Sequence, residues 1–244
     1  MADSLVIIPT YNEKGNIDRM IDTVMQLPHP FHVLIIDDGS PDGTADIVKS
    51  MIPKYPERLF IEERTGKLGL GTAYIHGFKW ALQRKYQYIF EMDADFSHPP
   101  NDLLNLYDAC AVQGADMSVG SRYVKGGGVQ NWEWIRKVLS VNAGRYVRLI
   151  TWMPVKDSTA GFVCYTNKVL SNIDLDKIQF VGYAFQIEMK FATYKLGYTI
   201  KEVPIIFKDR EVGESKMSMK IFKEALWGVL KMKIQSFFKS YKKA

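Results

Sequence analysis

Tyr88-Ile89-Phe90-Glu91-Met92-Asp93-Ala94-Asp95-Phe96-Ser97 reads as an apolar strand running into two acids one residue apart, before a turn at His98-Pro99-Pro100 leads into a helix. Side chains at i and i+2 of a strand point the same way, so Asp93 and Asp95 share one side at the strand's C-terminal end. In open α/β sheets that end holds ligands. Two adjacent carboxylates repel, and they stay ionised most readily with a cation between them and a ligand. Mg²⁺ or Mn²⁺ carrying a diphosphate suits the place, because both take hard oxygen ligands and retain substrate phosphates. Two solvated acids in a turn are the alternative for an isolated D-x-D, and the surrounding chain argues against it.

Working outward, Leu5–Ile8, His32–Ile36, Leu59–Glu62, Tyr88–Met92 and Asp116–Val119 read as strands, with amphipathic helical stretches near 14–26, 43–53, 71–84 and 101–113. That alternation predicts βαβ units, hence an α/β fold with a mostly parallel central sheet and helices on both faces. Pro9-Thr10-Tyr11-Asn12-Glu13 follows the first strand, with Pro9 expected to end it. Tyr11 offers a flat face for a base and Glu13 an acceptor for ribose or base N–H groups; alternatively Asn12 caps a helix and Glu13 suits its positive end. After the second strand, Asp38 is placed to bind a base or ribose, Gly39 and Gly43 allow tight turns, and Asp42 caps the helix beginning at Gly43-Thr44. Residues 66–77 are glycine-rich but match neither G-x-x-x-x-G-K-[ST] nor G-x-G-x-x-G, so they read as a close-packed loop over a nucleotide. His76 and His98 read as packing or turn histidines.

Arg122 follows the fifth strand, at the same sheet edge as Asp95, where a guanidinium pairs bidentately with phosphate. Gly126-Gly127-Gly128 reads as a flexible connection. Arg136 and Ser140, four apart on the next helix, share a face that either binds an anion or is solvated. Gln186 and Glu188, near the start of a later helix, suit buried hydrogen bonds or substrate contact equally. Tyr198–Phe207 is strand-like, and the polar loop after it carries Arg210 and Lys216.

With 244 residues, 47% hydrophobic and 24% charged, the chain is one large globular domain or a domain with an appendage. Cys110 and Cys164 read as buried free thiols of a reducing compartment, and no zinc spacing, signal peptide or bilayer-length apolar run is present. The net charge of +5 is uneven: residues 216–244 carry +7, leaving −2 elsewhere. The basic balance therefore suits a local anionic surface, and no nucleic-acid motif accompanies it. A division follows: residues 1–216 as a catalytic domain and 217–244 as a basic amphipathic helix, either docked on the core or lying at a membrane interface. Lys233 falls on that helix's apolar side, so the helix bends there or the lysine snorkels outward.

Pro9–Glu13, Ile36–Thr44, Lys67–Gly77, Met92–His98 and Asp209–Lys216 together resemble the polyprenol-phosphate (dolichol-phosphate) mannose synthases, GT-A fold members of glycosyltransferase family 2, over nearly the whole chain. The resemblance implies inverting transfer of mannose from GDP-mannose to a polyprenyl monophosphate, with Mg²⁺ or Mn²⁺ as cofactor. It implies that Pro9, Tyr11, Glu13, Ile36 and Asp38 hold the guanosine, and that Asp93, Ala94 and Asp95 hold ribose, diphosphate and metal. Asp95 would be the direct metal ligand, with Asp93 and Ser97 beside it. Arg122, Arg210 and Lys216 would clamp phosphates, and Arg122, Arg136 and Ser140 would meet the acceptor phosphate. Expected partners are GDP-mannose, membrane polyprenyl phosphate, an anionic lipid surface on the cytoplasmic face and a small membrane subunit, with no nucleic acid. Alternatives are a related transferase using UDP-glucose or UDP-N-acetylglucosamine, and a catalytically silent sugar-nucleotide-binding scaffold.

Overall fold

Strands β1 (Ser4–Thr10), β2 (His32–Asp37), β3 (Leu59–Glu63), β4 (Tyr88–Glu91) and β5 (Met117–Ser121) fall where the alternation predicts them. Helices α1 (Ile17–Met25), α2 (Thr44–Met51), α3 (Leu70–Gln83) and α4 (Asp102–Ala111) lie between them. The second half adds β6 (Gly128–Gln130), α5 (Trp134–Thr151), β7 (Val163–Thr166), α6 (Asn167–Asn172), α7 (Tyr183–Lys195), β8 (Ile200–Pro204), β9 (Ile206–Lys208) and α8 (Met219–Gln235). This computed structural model describes residues 3–209 and 219–243, apart from the side chains of Tyr183 and of residues 219–226.

Seven strands form one sheet in the order β3-β2-β1-β4-β7-β5-β8. Every neighbouring pair is parallel except those made by β7, which runs antiparallel to β4 and β5. The carboxyl ends of β1 to β5 therefore lie on one edge, and so does the segment entering β7. The order reverses between β1 and β4, which makes that junction the switch point where a ligand crevice forms. Alternation decides the layers: Val6, Ile8, Val33 and Ile35 pack under α1, α2 and α4, whereas Leu5, Ile7, Leu34 and Ile36 pack under α3, α6 and α7. A smaller apolar cluster ties α7 to α5 and α8 through Phe191, Val147, Val229 and Met232.

Four local expectations change. Pro9 does not end β1, which runs on to Thr10 with Pro9 opposite Ile36. Its missing N–H faces the β4 side, where pairing has already stopped at Ile7–Glu91, so no ladder bond is lost. The 126–128 glycine run is not a free connection, because Gly128 begins β6 and pairs with Ile206. A side chain at Gly127 would collide with the Ser121 carbonyl oxygen, so a close backbone approach explains that glycine. The Tyr198–Phe207 run is two strands: β8 continues the main sheet and β9 leaves it to pair with β6. In the 66–77 segment only the part before Leu70 is loop; Gly71 and Gly77 let α3 sit against Phe185 and Ile7.

The C-terminal helix docks on the core. Beyond Gln235 the chain turns back, Lys242 bridges to Ile173, and the Tyr241 hydroxyl donates to Glu188. Lys233 is only partly buried: its ammonium lies 3.9 Å from the centre of the Trp152 ring, near the Thr151 carbonyl. Burial lowers its pKa, and Lys195 adds to that. No described helix is long and apolar enough to cross a membrane.

Candidate active site

At the ends of β1 and β2, two loops are stitched into one ledge. Asp37 is buried and accepts from the Thr10 hydroxyl (2.9 Å) and from the Ser40 amide and hydroxyl. Asn12 N–H donates to Ser40, Glu13 N–H to Thr44, and Lys14 N–H to Asp42, which also receives the Thr44 amide, although the N-cap of α2 is Gly43 rather than Asp42. Asn12 does not cap α1; it takes a left-handed conformation (φ 61°), and the helix starts only at Ile17. Tyr11 and Glu13 are thereby presented beside Asp38, with the Lys67 ammonium 4.9 Å from the Tyr11 ring centre. Ile36 is fully buried and supports the ledge from below. Asp38 is held by Arg64, whose Nε lies 2.7 Å and Nη2 2.5 Å from one carboxylate oxygen; Arg64 Nη1 also donates to Thr72. Arg64 escaped the sequence reading because Glu62-Glu63-Arg64 looks like an exposed charge run.

Asp93, Ala94 and Asp95 follow β4 at the switch point. Asp95 is buried and accepts the Ser97 amide at 3.0 Å, while Asp93 is about one-third exposed. The Asp93 N–H donates to His98 Nδ1 (3.3 Å), and the His98 ring stacks on Phe162, so His98 is the packing residue its sequence context suggested. The Ser97 hydroxyl is buried without a hydrogen-bond partner. Two carboxylates and an orphaned hydroxyl are hard oxygen donors of the kind a divalent cation takes; among the described residues no three acidic, histidine or thiol groups cluster to hold a metal.

Arg122, Arg136 and Ser140 are gathered at the same edge, each already engaged. Arg122 Nε and Nη2 bind both Asp157 oxygens (2.8 and 2.6 Å), and Nη2 also donates to Thr159. Burial alone would lower Arg122; the Asp157 carboxylate more than offsets it and keeps the guanidinium charged. Arg136 donates from Nη1 to both oxygens of Asp209 (3.1 and 3.0 Å), and Ser140 accepts from the Tyr123 hydroxyl at 2.6 Å. Trp132 joins the two arginines, with Arg136 at 4.1 Å and Arg122 at 5.4 Å from its ring centre, and its indole N–H is buried without a partner. Phe207 completes the contact line, touching Trp132 on one side and His98 on the other. Trp132 and Phe207 gave no functional signal in the sequence, since their value lies in bringing distant segments together. Arg210 and Lys216 lie outside the described residues.

Behind this edge is a buried charged layer. Glu91, two residues before Asp93, is fully buried; the Tyr165 hydroxyl lies 3.5 Å away and the Lys190 ammonium acts on it. Burial pushes Glu91 up and Lys190 down, each opposed by the other's charge. Tyr74 is also buried and raised by desolvation, with Asp93 and Glu91 adding to it. Gln186 is buried within this layer, and Glu188 accepts the Gln179 and Phe180 amides, a structural duty. An open cleft of about 520 Å³ lined by Asp176, Lys177, Phe238 and Lys239 shares no residue with the acidic edge.

Residues 5–177, more than half of the chain, match the model of glycosyl transferase family 2. A polyprenol monophosphomannose synthase of Mycolicibacterium smegmatis is 45% identical over 93% of this chain and 87% of its own. An undecaprenyl-phosphate mannosyltransferase of Micrococcus luteus is 44% identical over 92% of this chain and 93% of its own. Among solved structures, a mannosyltransferase of Pyrobaculum calidifontis in complex with GDP-Man and Mn²⁺ shares the fold with a TM-score of 0.62 at 18% identity, covering 99% of this chain and 66% of its own. A strand order reversing beside paired aspartates is thus met by direct sequence kinship, and the chain belongs to glycosyl transferase family 2, among its polyprenyl-phosphate mannosyltransferases.

Proposed function

We propose that this protein transfers mannose from GDP-mannose to a membrane polyprenyl monophosphate, giving polyprenyl-phosphate-mannose and GDP. The observation that carries the reading is the convergence at one sheet edge of the Asp38–Arg64 pair, the Asp93/Asp95 pair and the Arg122–Trp132–Arg136 group. Between them they offer a base end, a metal and diphosphate middle, and a second anion site. The identity to named mannosyltransferases and the GDP-Man and Mn²⁺ of the Pyrobaculum structure support the donor and the metal.

The acceptor's second pKa of about 6 leaves it largely dianionic near neutrality, so the nucleophile needs no general base. An acceptor phosphate oxygen bonds to the mannose anomeric carbon as the bond from that carbon to the GDP β-phosphate oxygen breaks, and its electron pair leaves with GDP. One in-line displacement inverts the centre. The barrier is the approach of two anions, which convergent cationic side chains lower. Asp95, with Asp93 and the Ser97 hydroxyl beside it, would hold a divalent metal, which when bound would help neutralise the departing diphosphate. Arg122 already gives Nε and Nη2 to Asp157, so it meets a phosphate through Nη1. Arg136 meets one by exchanging the Asp209 carboxylate for it.

Attachment to the membrane is peripheral, on the cytoplasmic face that supplies nucleotide sugars. The start of α5, which bears Arg136 and Ser140, exposes Trp134, Ile135, Val138 and Leu139; Trp152, at its end, and Trp227, Phe237 and Phe238 are exposed as well. Lys137, Arg145 and Arg148 on α5, with Lys231 and Lys239, are exposed as well, the basic charge that suits an anionic lipid surface.

Purified protein incubated with GDP-mannose, Mg²⁺ or Mn²⁺ and a short-chain polyprenyl phosphate should form the lipid-linked sugar, and Asp95→Ala should lower kcat by about 10²-fold or more. No product from the wild type with any donor overturns the enzymatic reading. UDP competing better than GDP overturns the donor, and activity indifferent to chelation overturns the metal.

A further inference from the structure

Lys190 is the one fully buried lysine among the described residues whose burial is given, and nothing in the transfer chemistry above uses it. It projects from α7, on the face of the sheet opposite α4. Its ammonium donates to the Ala160 carbonyl at 2.6 Å, to the Gln186 carbonyl at 3.1 Å and to Gln186 Oε1 at 3.4 Å. A buried ammonium is tolerated only when its donors are met and opposite charge lies near. Glu91, Asp157 and Glu202 all act on this one, with Arg122 opposing.

Ala160 belongs to the 157–162 turn that enters β7. That turn has few anchors of its own: the Ala160 amide bonds back to the Asp157 carbonyl at 3.3 Å, and the Phe162 carbonyl takes the Gly120 amide. Glu202, from β8, receives the Lys156 and Asp157 amides and the Ser121 hydroxyl. Two side chains of the turn reach Arg122: Asp157, which receives both its amide and its guanidinium, and Thr159, which receives Nη2. Lys190 and Glu202 therefore grip the turn from two sides.

We propose that Lys190 is a positioning residue for phosphate binding: by holding the Ala160 carbonyl onto α7 it sets the 157–162 turn, and through Asp157 it aims Arg122. The proposal rests on the reading that Arg122 meets a substrate phosphate. It differs from a role in stability alone, because the consequence for phosphate binding runs through Arg122, whereas the charge left on Glu91 is removed separately by Glu91→Gln.

The test compares Lys190→Met, Arg122→Ala and the double variant, with Lys190→Met also combined with Glu91→Gln so that both buried charges go together. Lys190→Met should lower kcat/KM about tenfold or more, in keeping with the sensitivity of transfer to small displacements of a binding group. In the Arg122→Ala background the same change should matter less than about twofold, since residues acting through one another are non-additive. Adding Glu91→Gln should recover thermal stability without recovering kcat/KM, and this variant carries the test if Lys190→Met alone does not fold. Multiplicative effects of Lys190→Met and Arg122→Ala, or a kcat/KM restored by Glu91→Gln, overturn the proposal. Hydrogen exchange at the Arg122 amide, bonded to Asp157, should quicken in the Lys190→Met/Glu91→Gln variant, and unchanged protection there also overturns it. This readout needs no turnover, so a wild type that transfers no mannose sinks the functional reading and leaves the positioning claim to be decided by exchange.

Discussion

Asp38 and Arg64 illustrate how much one buried pair decides. Both side chains are about nine-tenths buried, and Arg64 reaches Asp38 from the end of the neighbouring strand, β3. Removing the cation strands a carboxylate away from water, which costs several times what the intact pair contributes. Arg64→Met should therefore destabilise the protein by about 3 kcal/mol in urea unfolding, and it should weaken GDP binding because the acid loses its orientation. Asp38→Asn in the same chain should recover most of the stability and none of the binding. A stable Arg64→Met protein with normal GDP affinity would show that the pair serves neither purpose. The sequence named Asp38, Asp93, Asp95 and Arg122, because strand ends and turn residues mark the ligand edge of a parallel sheet, and Arg136 from a shared helix face and the family resemblance. It did not name the groups that hold them. Asp157 lies 35 residues from Arg122 and Asp209 73 residues from Arg136, and pairings at such separations are set by topology rather than by local pattern.

At the scale of elements, β1 to β5 and α1 to α4 were legible because strand and helix periodicities differ and each element buries its own apolar side. What was missed depends on tertiary partners: β6 is too short to declare itself without β9, and β9 separates from β8 only because Ile205 is shared between the small sheet and the large one. The helices of the second half show the same limit. The broad apolar side of α8 reads equally as core or as membrane face, and docking through Val229 and Met232 takes part of it into the core. The exposed apolar surface is shared: Trp227, Phe237 and Phe238 remain exposed, and α5 adds Trp134, 72% exposed, and Leu139, 53%. Truncating the chain near Leu230 is consequently a poor test of lipid binding, since it also removes the Tyr241–Glu188 contact. Surface changes are cleaner. Trp134→Gln with Leu139→Gln should reduce co-sedimentation with anionic vesicles by at least about tenfold, because two large apolar side chains no longer enter the interface. Thermal stability should hold, and so should turnover of a short, water-soluble polyprenyl phosphate. Unchanged sedimentation would move the attachment elsewhere.

On the scale of the whole molecule, the described part of the site is assembled along one sheet edge. Its parts come from β1, β2, β3, β4 and β5, from the turn before β7, and from α5, so what joins them in the free protein is sheet pairing and a few cross-chain ion pairs. A ligand spanning base end and acidic pair should therefore tie together segments that unfolding separates. Binding to the folded state alone adds about 2.7 kcal/mol at a hundredfold excess over Kd. For a chain of this size each kcal/mol raises Tm by about 2–4 °C, so GDP with Mn²⁺ should raise it by about 5–10 °C. Mn²⁺ alone should do far less, because Asp93 and Asp95 without a diphosphate leave most of its coordination to water. Chelation should remove most of the GDP shift, as should Asp95→Ala, while Arg64→Met should remove it by releasing the base end. The pattern across the variants is diagnostic: if GDP stabilises equally with and without metal, the acidic pair and the base ledge are separate sites, and the bridging geometry proposed for the donor fails.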